Sequence, residues 1–419
     1  VLAQVHDLGL RARALQPGAV GSLAKGVLPL LVGLALAFGM QAGLKPRIDP
    51  YYAKLLLDIG VAITLAVSLN IVNGFTGQFS MGHAGFLAVG GYASGMVTYY
   101  GSIRWFDSPS MNGGSLSGMT EAAASAEHWF GTGDVLFVCA LLVGGLVAAL
   151  VGFAVGLPSL RLKGDYLAIV TLGFGEIVRV CVQQTGPILK PKTLDDESSP
   201  LHGQLIYEFV VRDAEGNSKT IQQAVSQTPA WDVMTHVGGA LGFTGIPKYT
   251  SLFWVYLAAA ITVIVAFRLK MSTYGRAFLS IREDEIAAEA MGVNTTRYKV
   301  WAFVIAAFFA GIAGGLYAHT LGVGLSAESA GFQKSFDVII MVVLGGLGSI
   351  SGAVLAAIVV TLLPEWLRGV AEYRMIIYAL ALILMMIFRP QGLLGVHEVW
   401  EKKSWAWFIR FFQKKGAKA

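Results

Sequence analysis

Apolar runs of about twenty residues recur along the chain, and that is the length a helix needs to cross the hydrocarbon core of a bilayer. They fall at 26–44, 51–72, 83–101, 134–157, 164–184, 251–269, 299–321, 337–363 and 373–389. Lipid offers the backbone no hydrogen-bond partners, so each run must satisfy its own N–H and C=O groups, as a helix does. The composition points the same way. The chain is 55% hydrophobic and 14% charged, where a soluble domain runs at about 45–50% and about 25%. Its 51 glycines lie largely within apolar runs, where membrane helices tolerate them. The expected fold is all-α and polytopic, with eight to ten transmembrane helices.

Charge predicts the topology. Basic residues gather in "RLKGD" (Arg161, Lys163), around 270–298 (with Arg268, Lys270, Arg276, Arg282, Arg297 and Lys299), in the arm 1–25 and in the tail 396–419. By the positive-inside rule these four segments face the cytoplasm, so the net +5 is a membrane signature and implies no nucleic acid. The arm carries Arg11, Arg13 and Lys25 without an apolar core, unlike a cleavable leader. Between arm and tail, 26–395 reads as the membrane body, with external insertions at 102–133 and 185–250, the second expected to fold as a small cap. Nine full crossings would separate two basic ends. Run 337–363 is broken by "GGLGSISG" at 345–352, which suits two half-helices that enter from outside and turn back. Eight crossings then return both ends to the cytoplasm, and a tenth helix would do the same. A second broken stretch, "NGFTGQFSMGHAGF" at 73–86, faintly echoes the first. Interrupted segments in two halves of a chain point to a transport path. Candidates for its lining are Asn70, Asn73, Thr76, Gln78, Ser80 and His83, with Gly345 and Gly346. The same polar groups could merely satisfy the backbone of a helix break. Glu176, three residues before Arg179 in an apolar run, is a further candidate; the alternative is a paired acid near a helix end.

Catalytic motifs are missing. The sequence has no Gly-x-x-x-x-Gly-Lys-Ser/Thr phosphate loop. Ser80 follows Gln78 where a nucleophile elbow needs glycine. The seven histidines are scattered, and the two cysteines, Cys139 and Cys181, sit in apolar runs, so neither a metal site nor a disulfide framework is expected. No enzyme activity and no cofactor are expected of this chain.

One densely charged segment, "REDEIAAEAMGVNTT" from Arg282, lies between two apolar runs. It reads as a short helix with Glu283, Asp284, Glu285 and Glu289 toward its front, Gly292 as its stop and Asn294 capping the next helix. Ala287, Ala288 and Ala290 offer a low-profile face suited to a groove in another protein. A solvated loop is the plainer alternative.

Five stretches together resemble a known family: "SLNIVNGFTGQFSMGHAGF" (68–86), "LRLKGDYLAIVTLGFGEIVR" (160–179), "GRAFLSIREDEIAAEAMGVNTTRYKVWAFVIAAFFAGIAGGLYAH" (275–319), "SFDVIIMVVLGGLGSISGAV" (335–354) and "FRPQGLLG" (388–395). The chain is similar to the permeases of bacterial branched-chain amino acid ABC importers, and to the larger of their two permease subunits. The resemblance implies a type II importer-like fold and a place in the inner membrane. It implies four kinds of partner: a sister permease, two cytoplasmic ATPases, an external substrate-binding protein and the lipid bilayer. It also makes the segment after Gly275 a coupling helix, related to a Glu-Ala-Ala-x-x-x-Gly motif that contacts the ATPase. Ile286-Ala287-Ala288 precede Gly292 at that spacing, but the acid stands one place early, at Glu285. Permeases for urea or short amides resemble this family closely, and a self-sufficient secondary transporter or channel is the reading from a different class.

Overall fold

The computed structural model describes residues 19–106, 129–159, 165–186, 235–320 and 324–367, with short pieces between and after them. Seven long helices match predicted runs: α1 Ala19–Gly39, α2 Pro50–Asn70, α3 His83–Phe106, α4 Thr132–Ser159, α5 Asp165–Gln183, α6 Leu252–Met271 and, after two short helices, α9 Thr295–Ala318. The short ones are α7 Thr273–Glu283 and α8 Glu285–Ala290. The glycine-broken run forms α10 Phe332–Gly345 and α11 Ile350–Trp366. Most of run 373–389, the arm 1–18 and nearly all of the tail lie outside the described residues, as does most of insertion 185–250. Within that insertion two three-residue strands, β1 Pro191–Thr193 and β2 Leu205–Tyr207, pair antiparallel. They qualify the all-α expectation without touching the helical body.

Among the described residues six helices are long and apolar enough to cross a membrane: Leu28–Arg47, Pro50–Phe75, Thr132–Pro158, Tyr166–Gln183, Leu252–Met271 and Thr295–Ala318. Helix α3 is not among them although it has 24 residues. Its position explains this. It packs between α4 and α9, so its surface meets protein and can carry Gly, Ser and Tyr. Gly90 and Gly91 lie against Gly311 and Gly314 of α9, and Gly144 of α4 closes on the carbonyl of Gly90. Small residues let helix backbones approach closely where lipid supplies no hydrophobic drive between them. By contrast α1 and α5 are peripheral, exposing Leu28, Leu31 and Leu36 on one and Tyr166, Ile169 and Ile177 on the other. Apolar faces like these suit lipid or a partner subunit.

Run 337–363 breaks at its glycines into two short helices that turn back on each other, as expected; α10 has 14 residues and α11 has 17. Its arms touch at glycines, since a Cβ on Gly345 would lie 2.5 Å from the carbonyl carbon of Gly352. Its apex turns through Gly346 (φ 108°) and Gly348 (φ 88°), a backbone that L side chains rarely adopt. Glu365 near the end of α11 accepts a hydrogen bond from Tyr51 in the first turn of α2, while Ser349 at the apex contacts Asn70 in the last. Helix α11 therefore runs alongside α2.

If glycine contact holds the α3–α9 pair, bulk there must force backbones apart. A Cβ on Gly314 would sit 1.9 Å from the carbonyl oxygen of Leu87. Gly314→Val should cost at least the ~1–3 kcal/mol typical of overpacking, seen as a lower midpoint of thermal unfolding in mild detergent. Gly173→Ala, which points into open space, should leave the midpoint unchanged.

Candidate functional site

The two glycine-broken stretches meet each other. Helix α2 loosens into a π turn, Ile71–Phe75, and the chain then runs without regular structure to His83. Asn70, fully buried, donates from Nδ2 to the carbonyl of Ser349 (2.9 Å) and accepts at Oδ1 from the amide of Gly348 (2.9 Å). Gly74 packs so closely that a Cβ there would lie 2.5 Å from the Gly348 nitrogen. One side-chain amide thus closes backbone groups on the facing turn.

Most of the predicted path residues do similar work. Asn73 accepts from the Ser80 amide (3.1 Å) and donates to the Ser80 carbonyl (3.4 Å), bridging the irregular loop. Thr76 donates to the carbonyl of Val72 (2.7 Å). His83 Nε2 lies 2.7 Å from Ser68 Oγ, which itself donates to the carbonyl of Leu65. Gln78 differs: it is buried, and its Oε1 has no hydrogen-bond partner among the described residues. Gly345 and Gly346 belong to the close contact and turn of the apex. Glu176 stands apart from this cluster. It pairs with Arg179 (2.6 Å) and accepts from the Phe332 amide at the start of α10, half-exposed at the opposite end of the hairpin.

Two residues that sequence reasoning passed over complete the apex. Lys270 Nζ, at the end of α6, donates to the carbonyl of Gly348 (2.8 Å) and to Glu398 Oε1 (2.6 Å). Glu398, buried, accepts from the amides of Ile350 and Ser351 (3.0 Å each) and from Ser351 Oγ (2.6 Å). These amides are the unpaired donors of a helix N-terminus, where negative charge is favoured. Burial pushes the Glu398 carboxyl up, but Lys270, Ser351 and the two amides outweigh it and hold it below its ordinary value. The surrounding basic tail hid this residue, because an acid in a segment without a regular pattern carries no periodic signal.

Helix α7, which leads into the charged segment, begins three residues after Lys270. Ser272 caps α7, accepting from the Gly275 amide. Asp284 caps α8 by accepting from the amides of Ile286 and Ala287 (2.9 and 3.0 Å). The stop is a paired C-cap: Gly292 donates to the Glu289 carbonyl, Val293 to the Ala288 carbonyl, and Gly292 has φ 85°. Asn294 caps α9. Several residues expected to face a partner turn inward instead. Ala288 is buried. Glu285 pairs with Lys299 (2.7 Å), and Glu289 accepts from Thr295 Oγ1 (2.7 Å), which straps α8 to α9. Arg282 reaches down to the carbonyl of Gly74 (3.0 Å). The geometric reason is helix period: Ala288 lies three residues after Glu285, so both take the inner face. What remains outward is Glu283, Asp284, Ala287, Glu289, Ala290 and Gly292, with Ile286 and Met291 strongly exposed.

A membrane body of apolar helices, a glycine-broken helical hairpin and a capped charged segment are what comparison with known proteins must explain. Residues 51–388 match the family described as branched-chain amino acid transport system / permease component. The chain belongs to that family. It is 35% identical to the high-affinity branched-chain amino acid transport system permease protein LivM of Salmonella typhimurium over 341 residues, covering 80% of this chain and 68% of that one. A probable LivM of Methanocaldococcus jannaschii is 23% identical over 82% of this chain and 92% of its own. The permease protein LivH of Escherichia coli K12 is 31% identical over 39% of this chain and 53% of its own. No solved structure matches. This permease is therefore a multi-pass membrane protein whose relatives come in two permease types.

The Lys270–Glu398 contact makes a direct test of the apex. In Lys270→Met the permease should lose about 3–5 kcal/mol, because a buried carboxylate is left without its partner, and Lys270→Met/Glu398→Gln should recover part of that loss in detergent unfolding. The acid side carries the sign. Since Glu398 titrates below its unfolded value, its stabilisation is complete above that value and is lost as pH falls through the lowered native one. Glu398→Gln should flatten that acid limb of the stability profile.

Proposed function

We propose that this permease imports branched-chain amino acids as one subunit of an ABC transporter, with its basic loops in the cytoplasm and ATP hydrolysis carried by partner subunits. The names of its relatives supply the substrate class and the transport system. The missing phosphate loop assigns the ATPase to other chains. The positive-inside pattern sets the orientation in the bacterial inner membrane. Two ATPases, a sister permease and an external binding protein complete the working unit.

The observation that carries the coupling role is the build of α7–α8. Helix α8 is capped at both ends and strapped to α9 by Glu285–Lys299 and Glu289–Thr295. It still exposes Ile286 and Met291, large apolar side chains on a short polar helix. A solvated loop needs neither feature. The attached α7 ends at Arg282, on the Gly74 carbonyl, and begins beside Lys270, on the apex. A displacement of α8 by an ATPase is thus delivered through rigid helix to both glycine-broken stretches. ATP can shift the permease between outward and inward access only if these contacts differ in free energy between the two states. No covalent step occurs on this chain.

Four outcomes follow. The lone permease, at high purity, should hydrolyse no ATP, and activity should appear only with ATPase subunits. Ile286→Asp/Met291→Asp should leave the fold intact but abolish ATPase co-purification and leucine uptake, and normal uptake would refute the docking face. Thr296→Cys, exposed beside α8, should react with a membrane-impermeant thiol reagent only after permeabilisation; labelling of intact spheroplasts would invert the orientation. Ala288→Trp, being inward, should instead lower stability by about 1–3 kcal/mol before any partner is added.

A further inference from the structure

At the end of the hairpin opposite its apex a cavity of about 430 Å³ opens between α2, α10 and α11. Its size lies within the ~300–1,000 Å³ of small-molecule sites. Five charged side chains line it: Lys54 and Asp58 from α2, Lys334 and Asp337 from α10, and Glu365 from α11. Apart from Glu365, they are two cations and two anions. Among the described residues no ion pair joins any of the four. Lys334 lies over the Tyr317 ring, 5.7 Å from its centroid, and Glu365, also on the wall, is taken by Tyr51.

Opposite charges held around one cavity without closing on each other leave both signs available to a third molecule. The lining also has an apolar part, Val61, Ala62 and Leu65 from α2, Val338 and Met341 from α10 and Val360 from α11, beside the polar Gln333, Thr361 and Tyr317. The α2 contributors, Lys54, Asp58, Val61 and Leu65, recur at helical spacing. They form one stripe about 16 Å long, with its charges toward the outer end. That stripe continues toward Asn70, whose amide holds the apex. A ligand lying along it would meet charge first and hydrocarbon deeper in.

We propose that this cavity is a low-affinity way-station for a zwitterionic α-amino acid with an aliphatic side chain. The lysines take its carboxylate, the aspartates take its ammonium group, and Val61, Leu65, Met341 and Val360 take the side chain. The site rests on the import reading above and adds where this chain itself meets substrate. An uncharged amide such as urea would leave all four charges unanswered, and a plain anion or amine would answer only one sign. Both signs on one wall suit a ligand that carries both charges.

The test uses the assembled complex in lipid nanodiscs without binding protein. Leucine, 4-methylpentanoate and 3-methylbutylamine, which share the side chain and differ in the charged groups, are compared by saturation-transfer NMR titration. Leucine should bind at least about tenfold tighter than either analogue, the worth of one charge-assisted contact. Lys334→Met and Asp337→Asn should each remove that preference, the first toward carboxylate and the second toward ammonium. An unaltered thermal unfolding midpoint and an unaltered subunit ratio on gel filtration should show that the variants are folded and assembled. Equal binding of the three ligands to the unaltered complex, or unchanged leucine preference in both variants, would overturn the site. Failure of the import reading looks different: the unaltered complex, supplied with its binding protein and ATP, would take up no labelled leucine at all. If the cavity instead seats the sister permease, the lysine and aspartate variants would lose that subunit on purification, which also overturns the proposal.

Discussion

A helix broken inside a membrane must find partners for the backbone groups that its break exposes, and this permease breaks two helices at one place. The solution is mutual. Asn70, at the end of one broken helix, supplies both halves of its side-chain amide to the turn of the other. Lys270 caps the Gly348 carbonyl, and Glu398 collects the free amides at the start of α11. Each of these contacts satisfies a group whose burial without a partner would cost about 1–3 kcal/mol. The apex is therefore a polar knot within a largely apolar body, and the hairpin is anchored through it.

That knot also lies where the charged segment ends. Arg282 and Lys270 flank α7 in sequence and reach the two broken stretches in space. Polar contacts of this kind are suited to exchange, because a hydrogen bond lost at one geometry can be replaced at another with little net cost. The glycine-packed contact of α3 with α4 and α9 is the opposite case. Backbones separated by no side chains have one close packing, so that trio serves as the fixed part against which a hairpin can move.

How much of this was legible beforehand follows the physics of each feature. The apolar runs, the glycine stop at 292 and the caps at Asp284 and Asn294 are local, set by length, φ and a side chain that reaches its own backbone. They were readable residue by residue. Ala288 was misplaced because a small residue signals close contact without saying with what. The contact turned out to be internal, and the outward face belongs to Ile286 and Met291. The polar cluster from Asn70 to His83 was read as either a path lining or a backbone repair. Its atoms are now seen committed mostly to repair, with Gln78 the exception.

The sequence by itself determined that this chain crosses a membrane many times, which loops carry its positive charge, where two helices break and where a capped helix interrupts the apolar pattern. Each of these depends on transfer of nearby residues from water or on the dihedral freedom of single residues. Only the tertiary structure decided that the two breaks face each other, that Glu398 closes the apex from the far end of the chain, and that Lys54, Asp58, Lys334 and Asp337 share one cavity. Those pairings join residues 47 to 283 positions apart. Nothing in local propensity selects among the many partners such a separation allows; the choice is made when whole helices pack and their unsatisfied groups are brought within reach.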